Sequence, residues 1–126
     1  MMEKLKVWIG QHPYDAIFVL IILVGAVLRL YDFSHWSLSN DELSALNRLR
    51  FDSFSDLIQN GVRPDGHPAF TQVFLYYWTT IFGLQTFWVR LPFVLIGIAS
   101  IGLVYAIGKQ WFNAATGLYA SLFIAV

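Results

Sequence analysis

The chain has 126 residues, of which 57% are hydrophobic, 17% aromatic and 13% charged, with mean hydropathy +0.58. A soluble globular domain is nearer half apolar and a quarter charged, so this composition indicates a membrane protein instead. Eight basic and eight acidic residues cancel, leaving no net charge to draw the chain to nucleic acid, and the absence of cysteine rules out disulfides and thiolate metal sites.

The first predicted element is YDAIFVLIILVGAVLRL, Tyr14 to Leu30, uncharged from Ala16 to Leu28. Crossing hydrocarbon takes roughly 17 to 25 residues, so with aromatic flanks the stretch is long enough. Lys4 and Lys6 precede it as in a secretory signal, but no small-residue cleavage site follows. A retained signal-anchor span over about 14–31 is predicted.

A polar loop over 32–67 comes next and holds six of the eight acids. Within it, Ser39 to Arg50 reads as an amphipathic helix with Leu43, Leu46 and Leu49 on one side. A second short helix is predicted from Phe54 to Asn60, started by Ser53 and stopped by Gly61. Helices of this kind lie flat on a membrane, their apolar side chains in the interface.

Pro68 opens a second predicted span over about 68–83, rich in Tyr76, Tyr77 and Trp78. A tight connection from Gly83 leads to a third over about 87–108, where Pro92 fits a first turn or a kink. Asn113 is placed to cap a fourth helix over 113–126. At about 1.5 Å per residue that helix covers about 20 Å, short of a hydrocarbon core of about 30 Å. Its Gly117, Ser121 and Ala125 recur at four-residue spacing, a face suited to close helix packing but without an obvious partner. The expectation is a truncated span and a fragment of a longer chain.

Three groups of side chains carry candidate chemistry. Asp41 and Glu42 are adjacent, so on a helix they point about 100° apart. Ser39-Asn-Asp-Glu42 fits a capping box in which Glu42 starts the helix and Asp41 is left free. The spacing alone favours the plainer reading, that both acids only complement the positive N-terminus. Asp65-Gly-His67-Pro68 is the second group. It reads either as a polar turn before the second span or, joined to a further carboxylate, as ligands for a divalent metal. The arginines are the third: Arg29 snorkels at the end of the first span, while Arg48, Arg50 and Arg63 are either solvated charges or forks for an anionic head group.

The order Arg29-Leu, Asp41-Glu42, Asp65-Gly-His67-Pro68, Phe82-Gly83, Arg90-Leu-Pro92 resembles the N-terminal portion of the GT-C membrane glycosyltransferases. The nearest branch holds protein O-mannosyltransferases and lipid A aminoarabinose transferases. The resemblance runs from Arg29 onward, and Asp-Glu after a first span is its most specific part. The chain departs from it at Ala69, where many relatives carry a second proline, and at Phe93, where serine or threonine is frequent.

What the resemblance implies is an all-α integral membrane protein, a multi-span helical bundle whose long extracytoplasmic first loop carries short juxtamembrane helices. It implies transfer of a sugar from a polyprenyl-phosphate donor to an acceptor hydroxyl on a protein, lipid or glycan, with inversion, the fragment alone being inactive. Asp41 is then the catalytic carboxylate and Glu42 supports or caps. Arg29, Arg48, Asp65, His67 and Arg90 are substrate-binding candidates. No cofactor is required beyond the lipid-linked sugar, and a divalent metal is possible but not favoured. The expected location is the cell membrane, multi-pass.

Charge runs against the orientation implied. With a cytoplasmic N-terminus and four spans, Lys4, Lys6 and Arg90 lie inside while Arg29, Arg48, Arg50, Arg63 and Lys109 lie outside, the reverse of the positive-inside rule. Two rival classes remain: a membrane scaffold or transporter fragment in which the loop helices only anchor, and a metal-binding membrane protein.

Overall fold

The computed structural model describes Glu3, Val7, residues 10–64, Gly66 and residues 68–126. Among the described residues there is no strand. The helices are α1 (Pro13–Leu30), α2 (Asn40–Asn47), α3 (Phe54–Asp56) with a π-helical turn over Leu57–Val62, α4 (Ala69–Phe82), α5 (Thr86–Trp111) and α6 (Ala114–Ala125). Of these, α1 and α5 are long and apolar enough to cross a membrane. The chain divides into two compact units, residues 1–32 with 93–126 and residues 33–92.

The first unit comprises α1, α6 and most of α5. Pro13 opens α1, where its missing N–H costs nothing, and an aliphatic run carries the helix to Leu30. Asn113 caps α6 as expected, its Oδ1 accepting from the Thr116 N–H at 2.9 Å. Small residues let the helices close on each other: a Cβ at Gly25 would lie 2.5 Å from Ile101 Cδ1 and 3.1 Å from Ala125 Cβ. One at Gly117 would lie 2.7 Å from the Tyr105 carbonyl oxygen. The Gly117, Ser121 and Ala125 face is therefore covered, by α5 at Gly117 and by α1 at Ala125. This corrects the expectation that it lacked a partner.

The register of α1 on α5 is antiparallel. Asp15 accepts from the Tyr105 hydroxyl at 2.5 Å and from Lys109 Nζ at 2.6 Å. Phe18 stacks on Tyr105 with ring centroids 4.1 Å apart. Further along, Gly25 faces Ile101, and the Arg29 side chain passes over Gly97. Three consecutive spans, with one over 68–83, would set α1 and α5 parallel. The observed direction differs, and it puts Lys109 at the N-terminal end of α1 instead of the loop end.

The second unit holds the polar loop, α4 and the start of α5. Its core is Leu46, Leu49, Leu57, Leu75 and Val89, with Leu38, Phe51 and Phe74 packed against it. Helix α2 is shorter than expected, ending at Asn47, and Leu43 points outward while Leu46 and Leu49 go in. Ser53 starts α3 as expected, accepting from the Asp56 N–H at 3.1 Å. Gly61 does not stop this segment. It is buried inside the π-helical turn, where a Cβ would sit 2.8 Å from the Phe51 ring and 2.9 Å from the Arg48 carbonyl oxygen.

Pro92 lies inside α5 and has no N–H to offer the Trp88 carbonyl one turn back. The Trp78 indole N–H takes that oxygen at 2.7 Å, so the proline's missing bond becomes a link between α5 and α4. Around it stack Phe74, Trp78, Phe82 and Trp88, with successive centroids 5.7, 4.2 and 5.1 Å apart.

Candidate active site in the polar loop

The site starts from a local rule. Ser39 takes extended backbone and its Oγ accepts from the Glu42 N–H at 3.3 Å, while Glu42 Oε2 accepts from the Ser39 N–H at 2.7 Å. That is the full capping box, and it starts α2 at Asn40. The side chain of Glu42 is thereby turned back toward the loop and away from its neighbour Asp41.

Arg90 meets it there. Its Nε donates to Glu42 Oε1 at 2.7 Å and its Nη2 to Glu42 Oε2 at 2.8 Å, a bidentate pair. The remaining donors go to backbone carbonyls: Nη1 to Phe33 and Trp36 at 2.9 and 3.0 Å, and Nη2 to Ser37 at 3.0 Å. All five guanidinium N–H groups are used within this unit. Both side chains of the pair are largely shielded, with 19% and 30% of their surfaces exposed, so screening is weak. The Arg90 guanidinium is the main reason the Glu42 carboxyl falls from its ordinary 4.5 to about 2; it outweighs the desolvation that pushes the other way, and the Ser39 bonds add to the fall.

Asp41 stands apart. It is exposed, in the first turn of α2, and has no hydrogen-bond or ion-pair partner among the described residues. One acid of the pair is thus fixed as an anion inside the fold, and the other is accessible on a helix end held in place by the first. A free carboxylate of this kind can accept a proton from an incoming hydroxyl.

The other expected site residues fall differently. Arg90 has no donor left for a substrate, because the loop takes all five. Arg29 belongs to the other unit. There it is half-buried, donating to the Gly25 carbonyl at 3.2 Å, to that of Ala125 at 2.7 Å and to that of Ile124. It caps the last carbonyls of α6, as a cation near a helix C-terminus does. Arg48 turns back on its own helix, Nε to the Ser44 carbonyl at 3.2 Å and Nη2 to Ser44 Oγ at 3.3 Å. Asp65 and His67 lie outside the described residues. Among the described residues no group of three His, Asp or Glu side chains is placed to hold a metal ion.

Sequence reasoning placed Arg90 across the membrane from Glu42 and so missed their pairing. A signal was present: Arg90 is the only Lys, Arg, Asp or Glu between Asp65 and Lys109. A lone cation in so apolar a stretch needs an anionic partner.

Residues 66–126 match the family model of dolichyl-phosphate-mannose-protein mannosyltransferase. The match supports a GT-C, mannosyltransferase-like membrane glycosyltransferase, in agreement with the resemblance read from the order of motifs. It takes in α4 to α6 and Arg90 and begins after the acid pair. No curated protein matches the chain, and no solved structure does.

Proposed function

We propose that the chain serves a glycosyltransferase that moves a sugar from a polyprenyl-phosphate donor to an acceptor hydroxyl on the extracytoplasmic face, with inversion. The observation that carries this reading is the division of the acid pair, with Glu42 locked by Arg90 and the Ser39 cap and Asp41 exposed beside it. Asp41 takes the acceptor's hydroxyl proton. The acceptor oxygen bonds to the anomeric carbon as the bond from that carbon to the phosphate oxygen breaks, and polyprenyl phosphate leaves with the electron pair. Attack from the side opposite the leaving group inverts the centre. Arg90 and Glu42 act through Asp41, as positioning residues.

Supply of a lipid-linked donor suits a membrane enzyme, since the isoprenoid tail stays in hydrocarbon while the sugar reaches the aqueous face. The family match in residues 66–126 supports the same donor class. Proton removal by a carboxylate needs no Lewis acid, so transfer is expected to persist under chelation.

The antiparallel register of α1 and α5 supports an arrangement in which the N-terminus and Lys109 face the cytoplasm and the polar loop faces outward. Lys109 then joins Lys4 and Lys6 on the inside, while Arg90 joins the loop arginines outside with its charge paired to Glu42, so the count of basic residues still runs three to five against the positive-inside rule.

The test is Asp41→Asn in the full-length enzyme, assayed with polyprenyl-phosphate sugars and candidate acceptors. Loss of transfer with folding intact supports the reading. Unchanged transfer removes Asp41 from the chemistry, and absence of any transfer by the unaltered protein leaves the scaffold class in its place.

A further inference from the structure

The loop ahead of α2 tucks in two of its apolar side chains and leaves the largest one out. Phe33 packs against Phe87 with ring centroids 5.2 Å apart, and Leu38 lies against the unit's core. Between them, Trp36 is 71% exposed. The His35 ring meets it edge-on, with centroids 5.9 Å apart, and still leaves most of the indole open.

This exposure is built into the loop. The Trp36 carbonyl accepts from Arg90 Nη1 at 3.0 Å and the Ser37 carbonyl from Nη2 at 3.0 Å, so the backbone that carries the indole is fixed. The same guanidinium grips Glu42. Both acceptors hang on one planar group, which keeps the Trp36 carbonyl within about 8 Å of the Glu42 carboxylate. Asp41 stands one residue before Glu42, at the same helix end.

The neighbours of the indole indicate what covers it. Along the chain, His35, Ser37, Ser39 and Asn40 are polar and exposed. A lipid or protein contact is marked by a contiguous apolar patch. Here one broad apolar face stands among hydroxyl, amide and imidazole groups. A sugar ring needs that combination. The C–H groups on one face of a pyranose lie against the negative face of the π-system, while its hydroxyls require hydrogen-bond partners when water leaves. Tryptophan offers this flat contact at a small cost in conformational entropy.

We propose that Trp36 is a stacking platform for a pyranose ring, which lies on the indole with its reacting end toward Asp41. The role given to Asp41 rests on the transferase reading; binding of the ring does not. The ring is that of the donor, or of the acceptor where the acceptor is a glycan.

The test reads binding and turnover separately. Full-length protein in nanodiscs is given millimolar methyl α-mannopyranoside, and saturation transfer to the sugar is followed by NMR after irradiation of aromatic protons, which the lipid lacks. Saturation of the ring C–H groups is expected in the unaltered protein and in Asp41→Asn. It should be lost in Trp36→Leu and return in Trp36→Tyr. Leucine keeps the apolar bulk without the π face, so a side chain serving lipid contact would be replaced by leucine as well as by tyrosine. Saturation unchanged in Trp36→Leu, or absent from the unaltered protein, overturns the proposal. In turnover assays Trp36→Leu should raise one KM about tenfold, that of the polyprenyl-phosphate sugar for a donor ring or that of a glycan for an acceptor ring. Both KM values unchanged also overturn it. Only the carbonyl of Trp36 is held by Arg90, so the substitutions leave that grip in place, and unchanged thermal unfolding checks this. The two readings fail separately. Loss of transfer in Asp41→Asn with saturation intact in Trp36→Leu removes the platform alone, whereas the opposite pair of results removes the general base and keeps the platform.

Discussion

Arg90 grips both carboxylate oxygens of Glu42, at 2.7 and 2.8 Å, and with its remaining donors holds three carbonyls of the Phe33–Ser37 segment. One side chain at the start of α5 thus sets the conformation of the loop and the first turn of α2 together. Asp41 inherits its position from that grip. Each expectation below tests a different part of the arrangement.

The two acids are expected to differ when neutralised. Asp41→Asn should lower transfer by about 10²–10⁴-fold, the range for a lost general base, with little change in unfolding temperature. Glu42→Gln still accepts from the Ser39 N–H but loses the ionic half of its bond to Arg90. It should cost about 1.5–3 kcal/mol of stability and leave measurable transfer. Equal, complete loss in two well-folded variants would move Glu42 into the chemistry.

Arg90→Lys keeps the charge and removes the fork. An ammonium carries three donors on a point and cannot bridge Glu42 and three carbonyls at once. The unfolding free energy in detergent should fall by about 2–3 kcal/mol. An unchanged value would mean that charge alone suffices.

Acid should loosen the loop in a defined window. Glu42 has a folded-state value near 2 against an ordinary 4.5. A carboxyl depressed by folding contributes stability that is complete above the unfolded value and is lost as pH falls through the folded one. Stability of the loop, followed by hydrogen exchange of the α2 amides, should therefore decline between about pH 4.5 and pH 2. In Glu42→Gln that part of the decline should vanish, and its persistence would assign it to other carboxyls.

Topology is open to thiol labelling, since none of the 126 residues is a cysteine and any cysteine beyond them can be replaced by serine first. A cysteine at Asn60 should react with an impermeant reagent from outside the cell. One at Gln110, beside Lys109 and exposed, should react only after the membrane is opened. Outside labelling of both would require an odd number of crossings between α1 and α5, and the antiparallel register would be refuted.

The packing of α6 should be intolerant of bulk at Gly117. Even a Cβ there meets the Tyr105 carbonyl at 2.7 Å, so Gly117→Leu must push α6 off α5. A loss of about 1–3 kcal/mol is expected, the usual cost of overpacking. A neutral result would show the two helices free to separate.

Local rules made much of this chain legible from its sequence. The capping box at Ser39 and Glu42, the caps at Ser53 and Asn113 and the apolar runs of α1 and α5 depend on neighbours within four residues or on composition alone. The order of motifs carried the GT-C resemblance because it, too, is written along the chain. Which helices touch, and in which direction, is not a local property. That α1 runs antiparallel to α5 is seen only in the register of Asp15 on Lys109 and of Arg29 on Gly97, residues more than 60 positions apart in the sequence. The same holds for the site. That Glu42 is capped was readable three residues away, but its partner Arg90 stands 48 residues along the chain. Their pairing follows from the desolvation of a lone cation and a half-buried carboxylate, each far costlier alone than together. Tertiary structure decided which acid was tied down and which was left exposed.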